Sequence, residues 1–275
     1  MNNFSKRTIS GVCFVAVMLA ALLFNGYIFG AVMLFALVVM MWEFLRMTCG
    51  TEYRYSQILS IVAGATMFIM TFFHAAGMVS GRFLLLTLLP FFILMINSLY
   101  VKDKSRFAKF ACLYTAILYI AIPWTMLNYA AFTTGEFNGT LLLCFFSIIW
   151  GSDVGAYVFG VTLGQKYGRK LFPSVSPKKS WIGFWGGLAT AIAVAAIFHF
   201  TGLFTCNILH CMALAVVLNI TGVYGDLIES QWKRHYEVKD SGCIIPGHGG
   251  MLDRFDSAIL AIPSGVMYLI IMNLM

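Results

Sequence analysis

Charge is scarce in this sequence. Of 275 residues only 11% are Asp, Glu, Lys or Arg, against 60% apolar, whereas a soluble globular chain carries about 25% charge. That scarcity excludes a water-soluble monomer and makes the bilayer the solvent. Two-residue alternation of polar and apolar side chains, which a membrane barrel needs, is absent. So are internal repeats, low-complexity tracts and any linker that would mark off a separate soluble domain. The seven cysteines are odd in number, scattered and without a CxxC pair. They read as small packing residues, which excludes a disulfide or zinc framework. The formal net charge of +7 is no nucleic-acid footprint. The basic residues sit in gaps between apolar runs, in no single stripe with interleaved aromatics, and no nucleic-acid partner is expected.

What is present is a series of apolar runs near the ~20 residues that span a hydrocarbon core. Nine can be marked: Thr8–Phe24, Tyr27–Leu45, Ser56–Phe73, Phe83–Tyr100, Phe110–Phe132, Leu141–Leu163, Trp181–Thr201, Ile208–Ile228 and Ser257–Met275. Lipid offers backbone amides no partner, so each run is a helix. Lys6 and Arg7 precede the first run as in a signal peptide, but the next run starts right after Asn25-Gly26 and no small-residue cleavage site is evident; it reads as a retained span. With the N-terminus inside, seventeen of the eighteen Lys and Arg fall in inside segments and only Arg82 outside, as the positive-inside rule requires. The expected fold is an all-α polytopic integral membrane protein of about nine transmembrane helices, N-in and C-out, in a bacterial inner membrane. Residues 1–140 form N-terminal membrane helices that serve as scaffold and as lipid or dimer contacts. Residues 141–275 form a catalytic membrane domain with cytoplasmic loops 164–180 and 229–256.

Carboxylates are informative because each costs about 2.5–3.5 kcal/mol at the centre of a spanning helix. The first 130 residues hold only Glu43, Glu52 and Asp103, all near expected helix ends or in loops. The later half holds eight. Asp153 lies well inside the sixth span, in Trp150-Gly-Ser-Asp-Val-Gly-Ala-Tyr157, and Asp226 near the inner end of the eighth. A helix–helix hydrogen bond or a lysine pair would account for Asp153 alone. Its company favours a polar pocket reached from the cytoplasm. Asp226 and Glu229, and again Asp253 and Asp256, are three apart and share a helix face. Oxygen ligands in such number suit Mg²⁺ or Mn²⁺.

Between the two acidic pairs lie Ser230, Lys233, Arg234, Lys239 and the turn Pro246-Gly-His-Gly-Gly250, with Arg254 just beyond. A Pro-Gly-x-Gly-Gly turn alone is a weak signal. Beside carboxylates and basic residues, its side-chain-poor backbone before a helix N-terminus reads as a phosphate site. Ser176-Pro-Lys-Lys-Ser-Trp181, with Lys178 and Lys179, forms a second basic cluster. Lys102, Lys104, Arg106 and Lys109 read as plain attraction to anionic lipid. The Gly160/Gly164/Gly168 and Gly183/Gly187 spacings read as close helix contacts.

Ser230 to Asp256 resembles the signature of the phosphatidate cytidylyltransferases, or CDP-diacylglycerol synthases: Ser-x-apolar-Lys-Arg, Lys-Asp, Pro-Gly-His-Gly-Gly, then Asp-Arg-apolar-Asp. The Ser-Pro-Lys-Lys-Ser-Trp run and the Asp153/Tyr157 region are similar to further blocks of that family, so the likeness covers about Trp150 to Ser257. Trp232 and Ile182 depart from it, standing where an aliphatic residue and a glutamate are usual. The resemblance implies that CTP and phosphatidic acid, drawn from membrane lipid, give CDP-diacylglycerol and pyrophosphate. It implies Asp226 and Asp253 as principal metal ligands, with Asp256 and Asp153 as second choices. Lys233 and Lys239, with Arg234 and Arg254, would meet phosphates, and Lys178 and Lys179 would close over the same site. Ser230, His248, Gly249 and Gly250 would shape the triphosphate pocket. Mg²⁺ or Mn²⁺ is the implied cofactor, with room for a monovalent cation and for a homodimer.

The residue chemistry agrees with that reaction. A phosphate monoester has a second pKa near 6, so the lipid nucleophile is largely dianionic at neutral pH and needs no strong base. The barrier is the meeting of two polyanions, which metal and basic residues lower. Two rivals are kept. A CTP-dependent polyprenol or phytol kinase-like enzyme would pass the γ-phosphate to an alcohol. A cation-coupled transporter would show paired inverted halves, whereas the polar residues here crowd one half.

Overall fold

The computed structural model describes residues 3–101, 107–165, 168–245, 247 and 249–275, with side chains from residue 8 onward. Pro246 and His248 of the glycine turn lie outside the described residues. So do Lys166, the basic segment with Lys102, Lys104 and Arg106, and the side chains of Lys6 and Arg7.

Among the described residues, nine apolar helical segments follow in order: α1 (Asn3–Leu23), α2 (Gly26–Cys49), α3 (Arg54–Ala75), α4 (Gly81–Tyr100), α5 (Phe107–Ala131), α6 (Thr140–Gly164), α7 (Trp181–Phe200), α8 (Ile208–His235) and α9 (Leu252–Ile271). Among the described residues, eight are long and apolar enough to cross a membrane, and α1 contributes a shorter apolar stretch, Thr8–Leu23. The protein is an all-α, multi-pass membrane protein. Two features depart from the sequence expectation. A two-stranded antiparallel hairpin, β1 (Lys170–Phe172) and β2 (Ser176–Ser180), occupies the segment expected as a plain loop. Helix α8 runs on to His235, so Glu229–His235 are helical and the following loop is shorter than 229–256. No Gly or Pro interrupts that stretch, and the helix stops just short of Glu237, whose φ is 55°.

Local chemistry fixes several helix ends and bends. Asn25 caps α2 by accepting from the Ile28 amide at 2.9 Å, and Gly50, at φ 62°, ends it. In α5 the turn Ile117–Ala121 widens to a π-helix just ahead of Pro123. The proline ring would otherwise press on the carbonyl four residues earlier, and the wider turn relieves it. Ser180 ends β2 and caps α7, accepting from the Gly183 amide at 3.1 Å.

The chain forms two compact units. The first holds Met1–Gly139 and Tyr236–Phe255, the second Thr140–His235 and Asp256–Met275. In the first, Trp124 is fully buried, donates from Nε1 to the Met33 carbonyl at 2.9 Å and packs its ring 4.9 Å from that of Phe255. The Asn128 amide spans to the Phe68 carbonyl and the Thr71 hydroxyl. In the second, α6 and α7 pack through small residues. A Cβ on Gly183 would stand 2.9 Å from the Ala156 carbonyl oxygen, and one on Gly187 2.9 Å from that of Ser152. These are the close helix contacts that the glycine spacing predicts. Ser152 also donates to buried Asn219 of α8 at 2.6 Å.

Candidate active site

The second unit brings together the C-terminal parts of α6 and α8, the hairpin and the start of α7 around a cleft of about 300 Å³. Asp153, Tyr157, Lys178, Lys179, Phe184 and Asp226 are among its walls. Both oxygens of Asp226 are engaged: Lys179 Nζ lies 2.5 Å from Oδ2, and Ser230, one turn further along α8, donates to Oδ1 at 3.2 Å. Asp256, at the start of this unit's share of α9, lies within electrostatic reach of Asp226, Asp153 and Lys233. Glycine permits the close approach of the two helices here, since a Cβ on Gly225 would stand 2.5 Å from the Asp256 carbonyl oxygen. Lys233 makes an ion pair with Glu229, four residues back on α8 and fully buried. Arg234 is exposed on the last turn. Asp153, Asp226, Asp256, Lys179, Ser230 and Lys233 therefore belong to one neighbourhood, with Lys178 on the cleft wall.

Among the described residues, no three His, Cys, Asp or Glu side chains form a group able to hold a metal ion by themselves. The donor set at Asp226 and Asp256 still fits a hard divalent cation. It is all oxygen, its like charges repel, and Lys179 already sets a positive charge against Asp226. Mg²⁺ is commonly held by one or two carboxylates together with water and substrate phosphates, without a full protein cage.

The first unit contains Gly247, Gly249 and Gly250 of the glycine turn, with Lys239, Asp253 and Arg254. Lys239 and Arg254 are exposed. Asp253, in the first turn of α9, is the organiser of its loop: Oδ2 accepts from the Gly250 amide at 2.7 Å, the Ser241 amide at 3.0 Å and the Ser241 hydroxyl at 3.0 Å. Gly249 sits at φ 87°, where a Cβ would come within 2.7 Å of the same Oδ2. The loop leaves α8 at Tyr236, whose hydroxyl meets Cys112 Sγ at 3.5 Å. Burial, reinforced by that thiol, raises the Tyr236 phenol above its ordinary range.

Sequence reasoning missed Glu43. Expected near a helix end, it lies within α2 and is only 1% exposed. Its carboxylate accepts from the Met251 amide at 3.1 Å, the Leu252 amide at 2.9 Å and the Ser241 hydroxyl at 3.4 Å. The amides of Gly250, Met251 and Leu252, which the sequence suggested for phosphate, thus already hold the carboxylates of Asp253 and Glu43. The glycines admit internal anions at these positions. The available signal was a lone acid amid apolar residues, the same anomaly that singles out Asp153.

Residues 5–272 match the profile of the Cytidylyltransferase family. A protein of Staphylococcus haemolyticus named phosphatidate cytidylyltransferase is 32% identical over 258 residues, covering 94% of this chain and 95% of that one. One of the same name from Bacillus subtilis is 36% identical over 197 residues, 70% and 69% of the two chains. A third, from Staphylococcus saprophyticus, is 31% identical over 258 residues, again 94% and 95%. With nearly the whole length matched, the chain belongs to the Cytidylyltransferase family.

Proposed function

We propose that this protein transfers the cytidylyl group of CTP to phosphatidate, making CDP-diacylglycerol and pyrophosphate on the cytoplasmic side of a bacterial inner membrane. The names of its relatives support the reaction. The positive-inside sorting of Lys and Arg supports the side. The single observation that carries the reading is the polar cleft of the second unit, where Asp226 is gripped by Lys179 and Ser230 with Asp153 and Asp256 in reach.

The phosphate oxygen of phosphatidate attacks the α-phosphorus of CTP, and the bond from that phosphorus to the β-phosphate oxygen breaks to release pyrophosphate. A bound Mg²⁺ or Mn²⁺ would neutralise the gathered phosphates and the charge on the departing pyrophosphate. Asp226 and Asp256 would hold it, with Asp153 adding negative charge from the cleft wall; Asp253, which the resemblance offers as the other principal ligand, accepts from the Gly250 and Ser241 amides of the first unit. Lys179 exchanges its partner Asp226 for a phosphate oxygen, and Lys178 binds beside it. Glu229 holds Lys233 by an ion pair within one helix face, which limits the wandering of its ammonium before substrate arrives. Arg234, on the last turn of α8, draws the polyanions in, and the family resemblance assigns Lys239, Arg254, His248 and Gly249 to the phosphates of CTP. The nucleophile is already ionised at neutral pH, so no side chain need take a proton.

Label position tests the reading. With CTP labelled at the α-phosphate, the purified chain and phosphatidate are expected to give labelled lipid. Lipid labelled only from γ-labelled CTP would overturn it in favour of a kinase.

A further inference from the structure

We propose that Glu43 is a positioning residue for nucleotide handling, holding Ser241 and Gly250, near the two ends of the loop between α8 and α9, and the start of α9 in their working arrangement. The inference rests on the reading that this loop serves the CTP site.

A spanning helix has no need of a carboxylate, and burying one away from water is costly unless it is fully hydrogen-bonded. Glu43 meets that condition in one way. It takes the two backbone amides that open α9, Met251 and Leu252, where the helix dipole favours negative charge. It also faces the Ser241 hydroxyl at the other end of the loop, the same hydroxyl that donates to Asp253. Both ends of the loop therefore converge on one side chain about two hundred residues away in sequence.

Two glycines give independent support. A Cβ on Gly242 would stand 2.3 Å from Glu43 Oε1, and one on Gly250 2.5 Å from Oε2. Neither has a positive φ, so backbone conformation does not demand glycine at these places, and the space taken by the carboxylate does. The sequence thus commits an acid and two glycines to one contact. Helix capping alone would have been met by a Ser, Thr or Asp just before Leu252. A clamp reaching from α2 fixes in addition where the loop sits on the first unit.

The test compares wild type with Glu43→Gln and Ser241→Ala, each as the full chain in detergent. Three quantities are read: amide hydrogen exchange over 249–253 without substrate, kcat and KM for CTP, and the melting temperature. In Glu43→Gln, one acceptor oxygen becomes a donor facing an amide. Exchange at Met251 and Leu252 is expected to quicken at least about tenfold, the equivalent of one lost charge-assisted hydrogen bond. KM for CTP is expected to rise with kcat less affected, and Ser241→Ala to move both the same way by less. Lost melting temperature with unchanged KM among folded molecules would mark a merely structural role and overturn the proposal, as would unchanged exchange. If Glu43→Gln fails to fold, a wild-type KM in Ser241→Ala overturns it. Should the wild type turn over no CTP while Glu43→Gln still loosens these amides, the reading of the reaction fails and the clamp stands.

Discussion

Gly250→Ala is the substitution on which the geometry makes the strongest demand. The added Cβ would lie 2.4 Å from Ser241 Oγ and 2.5 and 2.7 Å from the two carboxylate oxygens of Glu43, whereas ordinary contact begins at 3.4 Å. Glu43 must retreat by about 0.9 Å from a site where it is 1% exposed. A retreat of that size stretches its bonds to the Met251 and Leu252 amides, now 3.1 and 2.9 Å, past the usual limit of about 3.2 Å. Hydrogen bonds to charged groups contribute about 1.5–3 kcal/mol each, so losing both sets a ceiling near 6 kcal/mol, and partial relaxation leaves roughly 3 kcal/mol. Thermal unfolding in detergent and CTP turnover measured on the same samples would register it as a lower melting temperature and a higher KM for CTP. A variant that melts and turns over like wild type would refute the claim that the carboxylate holds this loop.

Other outcomes follow from the second unit. Lys179→Met keeps the side-chain volume and removes the charge beside Asp226; turnover is expected to fall about 10²–10³-fold, the usual effect of losing one preorganised electrostatic contact, with membrane insertion intact. Unchanged turnover would remove Lys179 from the site. Gly222 and Gly225 lie one turn apart on α8, yet Ala is expected to behave oppositely at each. At Gly222 the nearest atoms are 3.7 Å away, and Gly→Ala should raise stability by about 0.5–1 kcal/mol. At Gly225 the Cβ would meet the Asp256 carbonyl oxygen at 2.5 Å, and forcing the backbone apart costs about 1–3 kcal/mol and shifts Asp226 against Asp256. Melting curves of the two variants check the contrast.

The helices were legible because lipid permits few structures and the apolar runs mark them directly. The end of α8 was not, since Lys233, Arg234 and His235 look the same in a loop as in a final helical turn. The hairpin escaped because three- and five-residue strands carry little pattern. At the site, Asp226 lies against Lys179 and Ser230, three residues that the sequence reading also names. The glycine turn reads as a phosphate site in the sequence, whereas in the structure the Gly250 amide meets the carboxylate of Asp253. Which anion approaches is a tertiary fact: Glu43 comes from α2, and no local pattern links it to Gly250 or Ser241. The i,i+4 spacing of Glu229 and Lys233 was not used in the sequence reading, and the burial that gives the pair weight leaves no local signal.

Divalent-metal dependence in the purified full chain probes the acidic cleft most directly. After exhaustive chelation, wild type is expected to make no CDP-diacylglycerol and to recover on titration with Mg²⁺, while Asp226→Asn, folded and inserted, stays inactive at every Mg²⁺ concentration. Full turnover in the chelated wild type, or near-normal turnover in Asp226→Asn, would contradict a reaction built on carboxylates that hold a cation between two phosphates.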